Sequence, residues 1–233
     1  KYNDSVNIIV GIGGNNTKTT LENGFRFRHK CHAFMVTVPY YNKPSQEGIY
    51  QHFATISQLI EDKPIMLYNI PSRCGVSMAP EIVKNLYNNF DNIKAIKEAS
   101  GDIKHILEIQ SMCDILILSG DDLLTLPLLS LGCKGVVSVA SNLLPRQINE
   151  LFKLFIDNKI SDAIKLNKKL FILFKNLFIG SNPIPLKYLM YKCNLISNYS
   201  VRLPLVQIED TAIKKILDKK FNYYFLENKI INI

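Results

Sequence analysis

Six short apolar runs, separated by segments of helical pattern, constrain the fold of this 233-residue chain more than any other feature. The runs are almost wholly apolar instead of alternating with polar residues, as parallel strands buried on both faces require. They cover Val6–Val10, Ala33–Val38, Ile65–Tyr68, Ile93–Lys97, Ile115–Ser119 and Gly135–Val139. We therefore predict six parallel strands that are joined by helical crossovers.

The segments between these runs carry apolar residues at helical spacing, and Pro80 suits the first turn of a helix. The predicted crossover helices are Gln46–Ile60, Pro80–Leu86, Ile103–Met112 and Leu123–Leu131. After the last run, similar patterns predict an appended helical region with helices at Leu144–Phe155, Ser161–Phe178, Leu186–Tyr191 and Asp210–Lys219. Repeated βα units with short loops favour either an α/β barrel or a doubly wound sheet.

The placement of glycine and polar residues favours the barrel. The segment Gly11–Asn16, GIGGNN, lacks the third glycine of a dinucleotide-binding fingerprint and indicates only a loop. Polar and reactive side chains instead follow the ends of successive runs, at Tyr40, Tyr41, Tyr68, Lys97 and Ser119–Asp122. A β/α barrel keeps its active site at this edge of the strands.

Composition excludes several other classes of protein. The net charge of +8 comes from lysines spread along the chain, which indicates a solvated basic face and no nucleic-acid partner. The five cysteines are widely spaced without a zinc-binding pattern, and we expect reduced, mostly buried thiols and no metal site. No apolar run is long enough to cross a membrane, and the N-terminus lacks a signal-peptide pattern, so we predict a cytoplasmic protein without a membrane partner. The histidines, which we expect to be structural or exposed, are His29, His32, His52 and His105.

Lys97 is the leading candidate for chemistry. Alternation along its strand places Ile93, Ala95 and Lys97 on one face, which in a barrel would point inward. Burial lowers the pKa of a lysine and so provides the neutral amine that attacks a ketone to form an imine. The alternative is a surface lysine on a wrongly assigned strand, and spacing alone favours that alternative.

Two residues of the preceding βα unit could assist such a lysine. Tyr68, at the end of its strand, could relay protons, and the planar guanidinium of Arg73 suits a substrate carboxylate. Each has an ordinary alternative, because a tyrosine at a strand end is often part of the core and an arginine can cap a loop. Neither residue is decisive alone.

Together, the segments TVPYYNKPSQEG, YNIPSRCG and IKEASG resemble signatures of the class I, pyruvate-dependent aldolase family, which includes dihydrodipicolinate synthases and N-acetylneuraminate lyases. The resemblance extends through LSGDD, GCKGVVSVASN, NPIPLKY and VRLPL, from about Val6 to Leu205. Arg73 is typical of the dihydrodipicolinate synthase branch. The resemblance implies a (β/α)8 TIM barrel with a C-terminal helical region.

The same resemblance implies roles for particular residues. Lys97 is similar to the Schiff-base lysine and Tyr68 to the proton-relay tyrosine, while Arg73 resembles the group that binds the aldehyde substrate's carboxylate. Tyr41 resembles a tyrosine that family members insert into the active site of a neighbouring subunit.

Four further positions match less directly. Gly120 resembles a small residue that lines the pyruvate pocket, and Val137 a position whose carbonyl faces the lysine. Asn15 and Tyr40 match positions of an effector site that binds lysine in many members, although Thr19 stands where an acidic residue is common.

The implied reaction condenses pyruvate with L-aspartate 4-semialdehyde to 4-hydroxy-tetrahydrodipicolinate, on the pathway to diaminopimelate and lysine. It requires no metal or organic cofactor, because the imine between Lys97 and pyruvate acts as the electron sink. The expected assembly is a homo-oligomer, a tetramer built of dimers. The alternatives are another pyruvate-dependent aldolase, such as a neuraminate or keto-sugar-acid lyase, and a catalytically silent remnant.

Six strands are two fewer than the eight of a barrel. We therefore expect residues 1–142 to provide strands three to eight and residues 143–233 to form the helical region. The first two strands, with a threonine loop that assists the lysine in the family, are expected to be missing, which makes the activity of this chain alone doubtful. The segment Phe221–Ile233 has no interpretation.

Overall fold

The computed structural model describes residues 6–208 and 211–221, which form an α/β fold around a six-stranded parallel sheet. The strands are β1 (Ile9–Gly11), β2 (Ala33–Thr37), β3 (Ile65–Asn69), β4 (Ile93–Glu98), β5 (Leu116–Ser119) and β6 (Gly135–Val136). Their order in the sheet is their order in the chain, and every neighbouring pair is parallel. Each predicted apolar run overlaps one of these strands, so the prediction of six parallel strands is confirmed, although the ends of the strands differ from the predicted ones.

Helices follow the strands along the chain. They are α1 (Thr17–Phe27), α2 (Gln46–Leu59), α3 (Pro71–Cys74), α4 (Pro80–Asn89), α5 (Ile103–Met112), α6 (Thr125–Ser130), α7 (Pro145–Ile156), α8 (Ile160–Asn176), α9 (Ile184–Lys192) and α10 (Thr211–Phe221). All eight predicted helices are present with shifted ends, except that α5 matches its predicted bounds. Asp210, the predicted first residue of the last helix, and residues 222–233 lie outside the described part of the chain.

The sequence analysis missed α1. Its buried positions are Thr20 and Gly24, which are not large apolar residues, so the helix has little of the apolar periodicity on which the predictions depended. The available signal was Asn16, whose side chain accepts a hydrogen bond from the Thr19 amide and caps the helix. Ser45 and Asp102 cap α2 and α5 in the same way.

The two faces of the sheet differ in burial. Strand register places Thr37, Tyr68, Lys97 and Leu118 side by side on one face, which we call the Lys97 face, and all four are partly exposed. The centre of the opposite face is buried and includes Phe34, Val36, Leu67, Ile96 and Ile117. The prediction that both faces of the strands are buried is therefore confirmed for the centre of the opposite face. It is in part wrong for the Lys97 face.

Strand β4 contains an irregularity ahead of Lys97. Ile65 pairs with Ile93, but the next residue of β3, Met66, pairs with Ala95, so Lys94 has no partner residue on β3. Lys94 is exposed, while Ala95 and Ile96 are buried. Regular alternation begins at Ala95 and continues to Lys97.

The chain divides into two compact units. The first is the described part of Lys1–Gly120 with Ser130–Val137, and it contains the whole sheet. The predicted division after residue 142 stays a prediction.

The second unit is Asp121–Leu129 with the described part of Ser138–Ile233. Within it, Asp122 accepts hydrogen bonds from Ser138 Oγ and, at 3.0 Å each, from the amides of Val139 and Ala140. Because these amides bind Asp122, the predicted extension of the last strand to Val139 is wrong. Asp218 of α10 accepts a hydrogen bond from Tyr188 Oη of α9 at 2.8 Å.

All five cysteines are free, and Cys31, Cys74 and Cys133 are buried, which agrees with the prediction of mostly buried thiols. None of the described helices combines the length and the apolar character needed to cross a bilayer. Within residues 6–208 and 211–221, no group of three or more His, Cys, Asp or Glu side chains could hold a metal ion.

Candidate active site

The Lys97 ammonium stacks on the ring of Tyr68. The two residues are direct partners in the β3–β4 ladder, and Lys97 Nζ lies 3.9 Å from the centroid of the Tyr68 ring. Neighbouring residues of parallel strands point to the same face, so register alone brings the two side chains together. Lys97 therefore lies on the strand as predicted, and the alternative of a wrongly assigned strand is excluded.

The Tyr68 hydroxyl is a weak acid in this position. Burial raises the pKa of Tyr68 above 10, its ordinary value, while the positive charge of Arg73 opposes that shift and Cys74 adds to it. The phenol consequently remains protonated at neutral pH, and a protonated phenol can both donate and accept a proton during a transfer.

Arg73 lies in α3, a single helical turn that was not predicted from the sequence. The turn begins at Pro71 and ends at Gly75, whose φ of 76° is in the left-handed region that glycine adopts readily. Arg73 is exposed, and its charge acts on Tyr68. The short helix thus presents a guanidinium on the side of the Lys97–Tyr68 pair that is open to solvent.

Gly120 packs directly against Lys97. A Cβ atom at Gly120 would lie 3.0 Å from Lys97 Cε, which is a tight contact, and 2.5 Å from the Cβ of Ala99, which is closer than real Cβ atoms approach. The Gly120 amide also donates a hydrogen bond to the Glu98 carbonyl at 2.7 Å. This position therefore excludes any side chain larger than hydrogen next to the lysine.

Substitution Gly120→Ala is expected to lower the free energy of unfolding by roughly 1–3 kcal/mol, because the added methyl overpacks the site. Urea unfolding would measure the change. The double variant Gly120→Ala/Ala99→Gly should recover part of the loss, since it removes the 2.5 Å contact. Gly14→Ala is the matched control, because a Cβ there would meet only Thr20 Oγ1, at 3.5 Å. Equal stability of the Gly120 and Gly14 variants would contradict the overpacking.

Val137 lies at the same edge of the sheet. Its amide donates to the Ser119 carbonyl at 2.8 Å and so continues the β5–β6 ladder by one residue. Val137 and Gly120 thereby follow the ends of β6 and β5, as was predicted for Gly120, whereas Val137 was predicted to lie inside the last strand.

Tyr41 does not join the Lys97–Tyr68 pair as a buried group. Its side chain is 86% exposed, and its φ of 75° is unusual for a residue other than glycine. Tyr40, 43% exposed, is its neighbour in the turn that follows β2. Asn42 Nδ2 of this turn donates to the Asn15 carbonyl at 3.1 Å, which brings the predicted effector positions Asn15 and Tyr40 into adjoining loops.

A buried polar cluster on the sheet face opposite to Lys97 was not predicted from the sequence. Asn69 and Glu98, each one residue after a member of the Lys97–Tyr68 pair, are buried and hydrogen-bonded to one another, and His105 contacts Glu98. The available signal was the presence of two polar residues at the ends of strands whose neighbours are apolar.

Residues 1–220 match the model of the dihydrodipicolinate synthetase family. Among curated proteins, a 4-hydroxy-tetrahydrodipicolinate synthase from Sulfurihydrogenibium sp. (strain YO3AOP1) is 44% identical over 223 residues, which cover 93% of this chain and 76% of that protein. The predicted dihydrodipicolinate synthase activity is therefore favoured over that of the other pyruvate-dependent aldolases.

Solved structures give the same result. The structure of dihydrodipicolinate synthase from Aquifex aeolicus aligns with a TM-score of 0.91 at 37% identity, over 95% of this chain and 75% of that one. The enzyme from Cyanidioschyzon merolae with lysine bound aligns with a TM-score of 0.87 at 36% identity, over 93% and 73%. The similarity thus extends over nearly the whole of this chain and about three quarters of its relatives.

Proposed function

Because the chain belongs to the dihydrodipicolinate synthetase family, we propose that it forms an imine with pyruvate on Lys97 and condenses it with L-aspartate 4-semialdehyde. The product is 4-hydroxy-tetrahydrodipicolinate, after which the relatives are named. The observation that carries this proposal is the Lys97 amine, stacked 3.9 Å from the centroid of the Tyr68 ring.

The neutral Lys97 amine attacks the C2 carbonyl of pyruvate, and the resulting carbinolamine loses water to give the imine. Protonation of the imine nitrogen acidifies the pyruvate methyl group. Loss of a methyl proton then gives an enamine, whose carbon attacks the aldehyde to form the new carbon–carbon bond. The amino group that came with the aldehyde substrate then attacks the imine carbon, and the ring closes as the Lys97 amine leaves. No metal or organic cofactor takes part in these steps.

Tyr68 is the proposed proton relay. Its phenol can protonate the carbinolamine hydroxyl as water leaves and can recover a proton from solvent. The raised pKa suits this role, because the group is protonated when the step begins.

Three further residues are assigned to substrate binding. Arg73 is proposed to bind the carboxylate of the aldehyde, since its fork matches two oxygens at once and its short helix lies at the open side of the lysine. Gly120, which packs against Lys97, is proposed to line the pyruvate pocket, and the carbonyl of Val137, whose amide continues the β5–β6 ladder, is proposed to face the lysine.

Tyr41 is assigned to a second copy of the chain. A tyrosine that is 86% exposed on a turn with positive φ is suited to enter a neighbour's site, and a homo-oligomer, a tetramer of dimers, would provide that neighbour. Asn15 and Tyr40 are proposed to bind a lysine effector, since a relative has been solved with lysine bound and these two residues lie in adjoining loops.

The six strands are proposed to correspond to strands three to eight of a (β/α)8 barrel. The sequential parallel order and the gathering of Tyr68, Lys97 and Gly120 at one strand edge support this correspondence. The cytoplasmic location stays a prediction from sequence.

The test is borohydride trapping. The chain is incubated with pyruvate, reduced, digested and mapped by mass spectrometry. We expect one adduct, on the peptide that contains Lys97, and competition by L-aspartate 4-semialdehyde as the enamine is consumed. An adduct distributed over many lysines, or none at all, would overturn the proposal. Acetate in place of pyruvate is the control, because it has no ketone.

A further inference from the structure

A buried polar cluster joins β3 to β4 one residue beyond the Lys97–Tyr68 pair. It consists of Asn69, Glu98 and His105, and we call it the Glu98 cluster. Asn69 and Glu98 are ladder partners, and Asn69 Nδ2 lies 3.0 Å from Glu98 Oε2 and 3.3 Å from Oε1. His105 Nε2 of α5 lies 3.5 Å from the same Oε2. The cluster is on the sheet face opposite to Lys97.

The cluster is almost fully withdrawn from water. The Glu98 side chain is 0% exposed and that of His105 is 11% exposed. A buried carboxylate is costly unless donors surround it, and here the Ser100 amide at 2.7 Å adds to Asn69 and His105. Asn69 Oδ1 in turn accepts a hydrogen bond from the Met78 amide at 3.1 Å. Removing one member would therefore leave others without partners.

These contacts fix the register that stacks Lys97 on Tyr68. A shift between β3 and β4 would have to break the bonds of Asn69 to Glu98 before it could separate the adjacent pair. We propose that His105 is a positioning residue, which pairs with Glu98 and thereby holds Lys97 over the Tyr68 ring. The consequence for catalysis rests on the proposed function, whereas the effect on register does not.

The proton on His105 decides which bonds the cluster makes. Nε2 lies 3.5 Å from Glu98 Oε2 and 3.4 Å from Asn69 Nδ2. A protonated imidazole donates to the carboxylate, but a neutral Nε2 with a free lone pair can accept from the Asn69 amide. Loss of the proton thus removes the charge-assisted bond between His105 and Glu98 and leaves the carboxylate with fewer donors, which weakens the cluster that joins the two strands.

The surroundings of His105 favour its charged form. The hydrogen bond to Glu98 raises the pKa of His105 above 6.5, and Asp102 and Glu108 of its own segment raise it further, whereas burial opposes them. The other polar group that faces His105, Asn69 of β3, is uncharged. Because the folded pKa is raised, the pair is intact below pH 6.5 and is lost as the pH rises through the folded value.

The experiment compares rates of pyruvate trapping across pH in the wild type and in His105→Gln. We expect the wild type to be roughly tenfold faster near pH 6, because small displacements of a reacting group are costly, and the ratio should approach 1 at high pH. His105→Arg keeps a cation at all pH values and should stay ahead of His105→Gln throughout. His29→Gln, a change at an exposed histidine, is the control and should match the wild type.

A constant ratio across pH, or a ratio of 1 at every pH, would overturn the positioning role. A wild type that forms no adduct would overturn the proposed function instead. In that case amide hydrogen exchange of Ile93–Glu98 tests the register directly: exchange should quicken as the pH passes the pKa of His105 in the wild type, beyond the ordinary chemical effect of pH. His105→Gln should lack that extra step, and its presence in both proteins would contradict the proposal.

Discussion

Substitution Lys97→Arg is expected to abolish the pyruvate adduct completely. Arginine keeps the positive charge and can remain over the face of the Tyr68 ring, so the contact that the structure shows is retained. The guanidinium stays protonated in proteins and offers no neutral amine, so attack on the ketone cannot begin. Loss of activity would then reflect the missing nucleophile and not a missing contact.

Trapping followed by peptide mapping measures this effect, and Lys94→Arg is the matched control. Lys94 lies three residues earlier in the same strand and is exposed, so its substitution should leave the adduct unchanged. Thermal unfolding should place both variants within about 1 kcal/mol of the wild type, as expected for surface or charge-conserving changes. An adduct of normal yield in Lys97→Arg would identify another lysine as the nucleophile.

Acid is expected to remove about 3 kcal/mol of stability through His52 alone between pH 6.5 and pH 4. His52 is 5% exposed, its Nδ1 lies 2.8 Å from Thr17 Oγ1, and the edge of its ring contacts Phe53. Among the described residues, Nε2 is buried without a hydrogen-bond partner. Burial lowers the pKa of His52 from 6.5 to about 4. The unfolded chain therefore takes up a proton first, and stability falls as the pH decreases from 6.5 through 4.

The test is urea unfolding at pH 7 and pH 4.5 of the wild type and of His52→Leu. The variant has no titratable group at this position. The decrease in its free energy of unfolding from pH 7 to pH 4.5 should therefore be smaller than that of the wild type by about 2–3 kcal/mol. Buried carboxylates contribute to both proteins and cancel in the difference. In the control His29→Gln, a change at an exposed position, the free energy of unfolding should decrease as much as in the wild type. Equal losses in the wild type and His52→Leu would show that His52 is not held neutral.

His105 acts in the opposite direction to His52. Its folded pKa is raised, so it favours the folded state at low pH, whereas His52 favours it at high pH. The two histidines were treated alike in the sequence analysis because each is isolated in the chain. Their pKa values differ because of tertiary contacts. The imidazole of His105 faces the carboxylate of Glu98, whereas that of His52 is enclosed by apolar groups and the hydroxyl of Thr17.

Apolar periodicity was sufficient to predict the strands and most of the helices. It failed for α1, because Thr20 and Gly24 form its buried side, and it failed at the end of β6, where Asp122 takes the amides of Val139 and Ala140. In both places the local structure depends on hydrogen bonds of a polar side chain, Asn16 for α1 and Asp122 after β6. A pattern of apolar residues does not contain that information.

The candidate site was predictable to the extent that it depends on strand ends. Lys97, Tyr68 and Gly120 follow successive strands, and parallel register brings them together. The Glu98 cluster could not be predicted in this way, because its members come from two strands and a helix and gather on the face where only apolar residues were expected. The exposure of Tyr41 also depends on tertiary packing.

Lys94, which has no partner residue on β3, interrupts the alternation of side chains between the two faces of β4. Because of this extra residue, Ile93 lies on the same face as Ile96, and the predicted placement of Ile93 on the Lys97 face is wrong. A one-residue deletion at Lys94 would therefore restore a regular ladder in which Ile93 still pairs with Ile65 and Lys97 still lies beside Tyr68.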